Sequence, residues 1–174
     1  MRDGSPGQWR RREASAIDEA QRQIAIDSVT KGLEGERLTA VEHVHGAVER
    51  VHAHHQGRIA CASGADRFKV NLQLDKVGLS HYFEGRIFSG HEMPRSKPAP
   101  DVYLAAADHL QADPRRCAVV EDTVTGVTAG VAAGATVFAY LPAQTLHDSR
   151  DALLAAGAVQ VFRSMAELPA LLGC

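Results

Sequence analysis

The sequence predicts an α/β domain in which a parallel sheet is covered by helices on both faces. Strand and helix patterns alternate from Arg58 to Tyr140, which is the element order of such folds. The strand candidates RIACA, CAVV and TVFAY are almost continuously apolar, as strands buried on both faces are. The length of 174 residues suits one domain with a core and is short for two.

The N-terminal segment, residues 1–36, is expected to be separate from the core domain, residues 37–174. Apolar residues among charged neighbours between positions 13 and 34 predict one or two amphipathic helices, ended by Gly32 and Gly35. From Ala40 to His55 a stripe of valines with spacings of three and four residues predicts the first helix of the core.

The rest of the chain continues the alternation and closes with a capped helix. The predicted elements, in order, are a strand Arg58–Ala62, a turn at 63–66, a helix through Leu74, an extended piece Tyr82–Ser89, a helix Val102–Leu110, a strand Cys117–Val120, a helix Val127–Ala133, a strand Thr136–Tyr140, a helix Asp151–Ala156 and a strand Val159–Phe162. Ser164 and Glu167 then match a capping box. In such a sheet, ligands bind beyond the carboxyl ends of the strands.

Composition excludes several classes of protein. With 45% apolar residues and a net charge of −2, neither a disordered chain nor a nucleic-acid-coating surface is expected, which favours a small-molecule partner. Three cysteines without a C-x-x-C spacing favour a reducing, cytoplasmic setting. The uncharged stretch 123–147 is rich in glycine and alanine and is interrupted by Pro142, so no membrane partner is expected. A monomer or a homodimer is predicted.

Four polar side chains occupy positions after strands or before a helix: Ser63, Lys97, Glu121 and Asp122. Each residue taken alone has a common structural explanation and does not indicate a functional site. Serine often caps a turn, a loop lysine is usually solvated, and acidic residues at a helix start complement the helix dipole. Together they supply a hydroxyl near a helix N-terminus for phosphate oxygens, a cation, and the hard oxygen ligands that Mg²⁺ prefers.

The local sequences around these residues are specific. CASGAD resembles the second motif of the haloacid dehalogenase-like (HAD) superfamily, SKPAPD the third, and VVEDTVTGVTAGVAAGATVF the fourth, in the style of the beta-phosphoglucomutase and phosphatase branch. The resemblance implies a Rossmannoid three-layer parallel sheet and a Mg²⁺-dependent phosphohydrolase, of phosphatase or phosphomutase type, acting on a small phosphorylated metabolite. The acidic pair favours this over dehalogenation, which displaces halide without a metal.

The resemblance also implies roles for individual residues. Ser63 and Gly64 would bind the phosphoryl group with Lys97, and Ser63 and Lys97 would be catalytic. Glu121 and Asp122 would bind Mg²⁺ directly or through water. Thr123 and Gly126 would shape the turn that follows.

The family's nucleophile motif, an apolar strand ending in D-x-D-G-T, has no match. The only candidate is Arg2-Asp3-Gly4-Ser5. If Asp3 is the second aspartate of the motif, the position of the nucleophile is Met1. If Asp3 is the first aspartate, the position of the second is Ser5, so neither alignment works. The central strand of the sheet is therefore expected to be missing, and residues 1–36 to be a remnant of an α-helical cap. A truncated gene, a late start codon or a domain completed by another piece would explain this.

Other readings stay open. The chain is either a phosphohydrolase whose first motif lies upstream, or an inactive fragment retained as a binding module or without function; negligible Mg²⁺-dependent hydrolysis of p-nitrophenyl phosphate is predicted for it. A dinucleotide site is disfavoured because G-x-G-x-x-G follows no strand. The histidines at 43, 45, 52, 54 and 55 are expected to line the flanks and end of their helix rather than a metal site.

Overall fold

The computed structural model describes residues 23–26, 30–31, 39–143 and 148–174. The strands are β1 (Gln23–Ile26), β2 (Thr30–Lys31), β3 (Thr39–Ala40), β4 (Ile59–Ser63), β5 (Ile87–Ser89), β6 (Cys117–Glu121), β7 (Thr136–Tyr140) and β8 (Gln160–Phe162). The α-helices are α1 (Val44–His54), α2 (Arg67–Lys76), α3 (Asp101–His109), α4 (Val124–Ala132), α5 (Arg150–Ala155) and α6 (Leu168–Leu171).

Six strands form one sheet in the order β5-β4-β1-β6-β7-β8, and every neighbouring pair in it is parallel. The two short strands β2 and β3 pair antiparallel as a separate ribbon. Because the six strands run in one direction, their carboxyl ends meet at one edge of the sheet. The predicted α/β class with a parallel sheet is confirmed.

Helices cover both faces of the sheet, as the sequence predicts. One apolar cluster joins α1, α2 and α6 to the face that carries Ile59 and Cys61. The other joins α3, α4 and α5 to the face that carries Ala60 and Ala62. Consecutive residues of β4 thus point to opposite layers, which is why the strand is apolar along its whole length.

The expectation that the central strand is missing is wrong. β1 lies between β4 and β6, where Ile24 pairs with both Ile59 and Ala118. These residues were expected to be helical, and that prediction fails for Gln23–Ile26 and Thr30–Lys31. The physical reason is that β4 and β6 both present backbone groups that need partners, and the β-branched residues Ile24 and Ile26 favour a strand.

The remaining predictions for the N-terminal segment fall on residues outside the described part of the chain. These are the helical pattern over residues 13–22, the domain boundary at residue 36 and the interpretation of this segment as a cap remnant. They stay predictions.

Most predicted elements of the core are confirmed within a few residues. The valine stripe is the buried face of α1, although the helix begins at Val44 because Ala40 pairs in β3. The extended piece is shorter than predicted, since only Ile87–Ser89 forms a strand after a 3₁₀ turn at Ser80–Tyr82. The capping box of Ser164 and Glu167 is present and opens a 3₁₀ turn before α6.

Small residues allow α4 to approach the sheet closely. A Cβ added at Gly130 would lie 2.8 Å from Cγ2 of Val137 on β7. In the described ranges, no helix combines the length and the apolar character needed to span a bilayer. The three cysteines all lie in the described part of the chain, and none of them is in a disulfide.

Candidate active site

The residues singled out by the sequence meet at the carboxyl edge of the sheet. Ser63 ends β4 and Glu121 ends β6, and β1 lies between these two strands. Lys97 reaches them from the loop between β5 and α3. Its ammonium nitrogen lies 2.5 Å from Oε1 of Glu121 and donates to the carbonyl oxygen of Ala62 at 3.2 Å. The fold therefore joins two motifs that are 24 residues apart in sequence.

The carboxylate of Glu121 is buried, with 1% of the residue exposed, and both of its oxygens accept hydrogen bonds from the protein. Oε1 accepts from Lys97 and, at 2.6 Å, from the hydroxyl of Tyr103. Oε2 accepts from the backbone N–H groups of Asp122 at 3.0 Å and Thr123 at 3.3 Å, and from the Thr123 hydroxyl at 3.2 Å. Five donors therefore converge on one carboxylate.

These partners decide the charge of Glu121. Burial alone would raise its pKa, but the positive charge of Lys97 and the hydrogen bonds from Lys97, Tyr103 and Asp122 hold the pKa below its usual range. The side chain is therefore ionised at neutral pH, as half of a buried ion pair.

Lys97 is held in place by more than its partner carboxylate. Its side chain is 8% exposed, and its nitrogen lies 4.8 Å from the centre of the Tyr103 ring, within the range of a cation–π contact. Tyr103, in the first turn of α3, thus contacts both members of the ion pair. A buried charge with this many partners has a fixed position.

The turn between β6 and α4 fits around the same carboxylate. Thr123 caps α4, because its Oγ1 accepts from the N–H of Gly126 at 3.0 Å while its hydroxyl donates to Glu121. A Cβ on Gly126 would lie 1.9 Å from Cδ of Glu121. Only glycine fits at this position, because the backbone of α4 passes directly over the carboxylate and leaves no room for a side chain. The sequence prediction that Thr123 and Gly126 shape this turn agrees with these contacts.

Ser63 and Gly64 form the turn that follows β4. The Ser63 oxygen accepts from the N–H of Ala65 at 3.2 Å, so the side chain shapes its own turn and still carries a hydrogen to donate. Ser89 at the end of β5 donates to the carbonyl oxygen of Ala65 at 2.7 Å. Gly90 packs on Gly64, where an added Cβ would meet the Gly64 Cα at 3.4 Å.

A cleft of about 420 Å³ opens beside Lys97. It is lined by Gly64, Gly90, His91, Met93, Pro94, Ser96 and Lys97. The volume lies within the range of small-molecule sites. The cleft thus brings the predicted phosphate-binding residues Gly64 and Lys97 to a common surface.

Asp122 follows Glu121 at the sheet edge and is partly exposed. The nearby N–H of Val124, at the start of α4, donates to Oδ2 of Asp148 at 3.1 Å. Asp148 therefore ties the segment after β7 to the turn that carries Asp122. Of the two predicted metal ligands, Asp122 has the more accessible carboxylate.

The sequence patterns did not identify three contributors: the hydroxyls of Tyr103 and Ser89, and the carboxylate of Asp148. Tyr103 could have been found, because a tyrosine on the apolar face of a helix needs a partner for its hydroxyl. Asp148 carried no signal, since its partner lies 24 residues away in sequence.

Comparison with known proteins points to one family. The family described as haloacid dehalogenase-like hydrolase matches residues 2–134. A phosphorylated carbohydrates phosphatase of Thermotoga maritima is 31% identical over 106 residues, covering 61% of this chain and 48% of that protein. The 6-phosphogluconate phosphatase of Escherichia coli is 29% identical over 103 residues, covering 59% of this chain and 44% of that protein.

A solved structure gives the same result for the fold. The HAD family hydrolase from Deinococcus radiodurans, with bound phosphate and sodium, is 37% identical and superposes with a TM-score of 0.72 over 78% of this chain and 60% of that one. This chain spans about half the length of the two phosphatases, at 48% and 44%.

Proposed function

This chain belongs to the haloacid dehalogenase-like hydrolase family, and on that premise we propose that its core binds the phosphoryl group of a small phosphorylated metabolite beside Mg²⁺, as a phosphatase or phosphomutase does. The observation that carries the proposal is the Lys97–Glu121 ion pair at the carboxyl edge of the sheet, next to the cleft. The phosphatase relatives and the phosphate-bound structural neighbour support this chemistry.

Ser63, Gly64 and Lys97 are the proposed phosphate-binding residues. The Ser63 hydroxyl and the backbone of the following turn lie just before α2, where a helix N-terminus favours anions. Lys97 supplies positive charge at the wall of the cleft. In this role Ser63 and Lys97 would offset charge on the transferring phosphoryl group.

Asp122 is the proposed direct ligand of Mg²⁺. Its carboxylate is the kind of hard oxygen donor that Mg²⁺ prefers. The oxygens of Glu121 are engaged by five protein donors, so Glu121 would act on the metal only through water while it holds Lys97 and the turn. A bound Mg²⁺ would neutralise phosphate charge.

Turnover by this chain is proposed to be negligible. No Asp-x-Asp pair occurs anywhere in the 174 residues, so the family's paired nucleophile and general acid are not both present. The residue that follows β1 in sequence is Asp27, which lies outside the described residues, and Val29 stands two positions later. Asp27 is the first residue to substitute if turnover is found.

Binding tests the proposal directly. Titration calorimetry of inorganic phosphate in the presence of Mg²⁺ is expected to show binding that weakens at least tenfold without Mg²⁺ and in Asp122→Asn, because phosphate charge is then left uncompensated. Asp151→Asn, an exposed acidic residue of α5, is the matched control and should bind as the parent does. Binding that is equally strong in Asp122→Asn would remove Asp122 from the site.

Hydrolysis of p-nitrophenyl phosphate with Mg²⁺ tests the inactivity. We expect a rate indistinguishable from that of buffer containing Mg²⁺. Robust turnover that disappears in Asp122→Asn would contradict this expectation while supporting the family chemistry, and loss of that turnover in Asp27→Asn would then identify the nucleophile.

The second candidate function is an inactive HAD-like module that binds a partner or has no function. The missing Asp-x-Asp pair favours it. Phosphate binding distinguishes the two candidate functions, since a module that has lost the chemistry has no need to retain Mg²⁺-dependent phosphate affinity.

We also propose a monomer or homodimer in the cytoplasm, without nucleic-acid or membrane partners, because the net charge is close to neutral and the three cysteines form no disulfide within the described residues.

A further inference from the structure

Three side chains that suit a metal ion gather far from the candidate active site. His54, His55 and Cys174 each offer one donor atom, and these three atoms lie within 4.8 Å of one another. Nε2 of His55 lies 3.7 Å from Sγ of Cys174. The two imidazole rings meet edge to face with their centres 4.9 Å apart.

The fold itself brings these residues together. His54 is the last residue of α1, and His55 leaves the helix with φ −91° and ψ 14°, so that two adjacent side chains can face one point. Cys174 follows α6, and its N–H donates to the carbonyl oxygen of Pro169 at 2.8 Å. Arg50 of α1 reaches the Cys174 carbonyl oxygen at 3.5 Å. The thiol is thus positioned by backbone contacts independent of the histidines.

The cluster is accessible on one side and buried on the other. His55 is buried, with 7% of the residue exposed, and Cys174 packs against the apolar core. His54 is exposed and can change rotamer without disturbing the core. An ion therefore has both a fixed pair of donors and an entry path.

We propose that His54, His55 and Cys174 form a binding site for a soft divalent cation of the Zn²⁺ class. Two imidazoles and a thiolate are a donor set that suits Zn²⁺ and not Mg²⁺. In tetrahedral coordination with usual Zn–N and Zn–S lengths, nitrogen and sulfur lie about 3.5 Å apart. The His55–Cys174 pair is already close to that separation, and the exposed His54 closes the site by a small movement.

This site is separate from the proposed phosphate site. His55 precedes β4, whereas Ser63 ends it, so the two sites lie beyond opposite ends of the strand, which alone spans about 13 Å. The ion would join α1 to the segment after α6. Such a link stabilises the folded state without entering the phosphoryl chemistry.

Cobalt spectroscopy tests the proposal on the full chain, kept reduced and in excess Mg²⁺. Stoichiometric Co²⁺ is expected to give the intense near-ultraviolet band of thiolate-to-metal charge transfer and the visible bands of a four-coordinate ion, and Zn²⁺ should displace both. The other two thiols, Cys61 and Cys117, are buried in β4 and β6, so Cys174 is the thiol that an added ion can reach.

Substitutions assign the ligands. Cys174→Ser should abolish the charge-transfer band, and His54→Ala should weaken Zn²⁺ binding by at least tenfold, since changes even outside the ligand set cost 10- to 100-fold. His54 is exposed, so its variant keeps the fold. Cys117→Ala and His81→Ala are the matched controls and should retain the band and the affinity.

Some results would overturn the proposal. These are the absence of a charge-transfer band, a band that persists in Cys174→Ser, or Zn²⁺ affinity unchanged in His54→Ala. A thermal melt adds an independent readout, because Zn²⁺ should raise the Tm of the parent and of Cys117→Ala but not that of Cys174→Ser. An equal shift in all three proteins would also contradict the site.

Discussion

Replacing Gly126 with alanine is expected to lower the free energy of unfolding by about 3 kcal/mol or more, at the upper end of overpacking effects. The new Cβ would lie 1.9 Å from Cδ of Glu121, a distance that no rotamer of alanine can change. Either α4 or the carboxylate must move, and the carboxylate is fixed by five hydrogen bonds. Urea denaturation followed by circular dichroism measures the loss.

Gly46→Ala provides the matched control for Gly126→Ala. Gly46 also lies in a helix, α1, but a Cβ added there would meet no atom of the surrounding structure within 4 Å. Alanine there should raise the free energy of unfolding by about 0.4–1 kcal/mol, because it reduces the entropy of the unfolded chain. Two identical substitutions are thus expected to act in opposite directions. Equal effects at both positions would show that helix propensity, and not the contact with Glu121, controls position 126.

The contrast between these glycines shows what the sequence could reveal about the site. The order of CASGAD, SKPAPD and VVEDTVTG was enough to select Ser63, Lys97, Glu121 and Asp122, because strand ends of a parallel sheet share one edge. It could not show that Glu121 turns inward, to Lys97 and Tyr103, while Asp122 remains partly exposed. That difference arises from the path of the β6–α4 turn, which depends on tertiary contacts.

The fold shows the same division between local and long-range information. β4, β6 and β7 were predicted because long apolar runs with flanking turns define them in the sequence. β1 was missed because four residues of QIAI fit a helix stripe as well as a strand. The strand forms because the backbone N–H and C=O groups of β4 and β6 need hydrogen-bond partners. The local sequence of β1 does not show this requirement.

Replacing Lys97 with methionine is the second substitution with a large expected effect. It removes the cation from a buried pair and leaves Glu121 as an uncompensated charge, which typically costs about 3–5 kcal/mol. Methionine keeps most of the side-chain volume, so the loss reports on charge more than on packing. The exposed pair of Arg115 with Asp113 gives the control, since Arg115→Ala should leave the free energy of unfolding nearly unchanged.

The pH dependence of stability gives a sharper test of Lys97→Met. In the parent protein the pKa of Glu121 is lowered in the folded state, so this carboxylate stabilises the fold above its unfolded pKa of about 4.3 and loses that contribution as the pH falls further. In Lys97→Met the ammonium group no longer lowers the pKa of Glu121, so burial raises this pKa with only the remaining hydrogen bonds to offset it. Glu121 should then gain a proton on folding, and the variant should recover stability as the pH falls from neutral.

The two unfolding curves should therefore converge toward acid pH. Measured in metal-free buffer at about pH 7 and about pH 5, the stability difference between parent and Lys97→Met should shrink, because protonation relieves the buried charge only in the variant. Lys97→Met combined with Glu121→Gln should be more stable at about pH 7 than Lys97→Met alone, since no charge is then left buried. A difference that is constant with pH, and not rescued by Glu121→Gln, would show that Lys97 acts through packing and not through its charge.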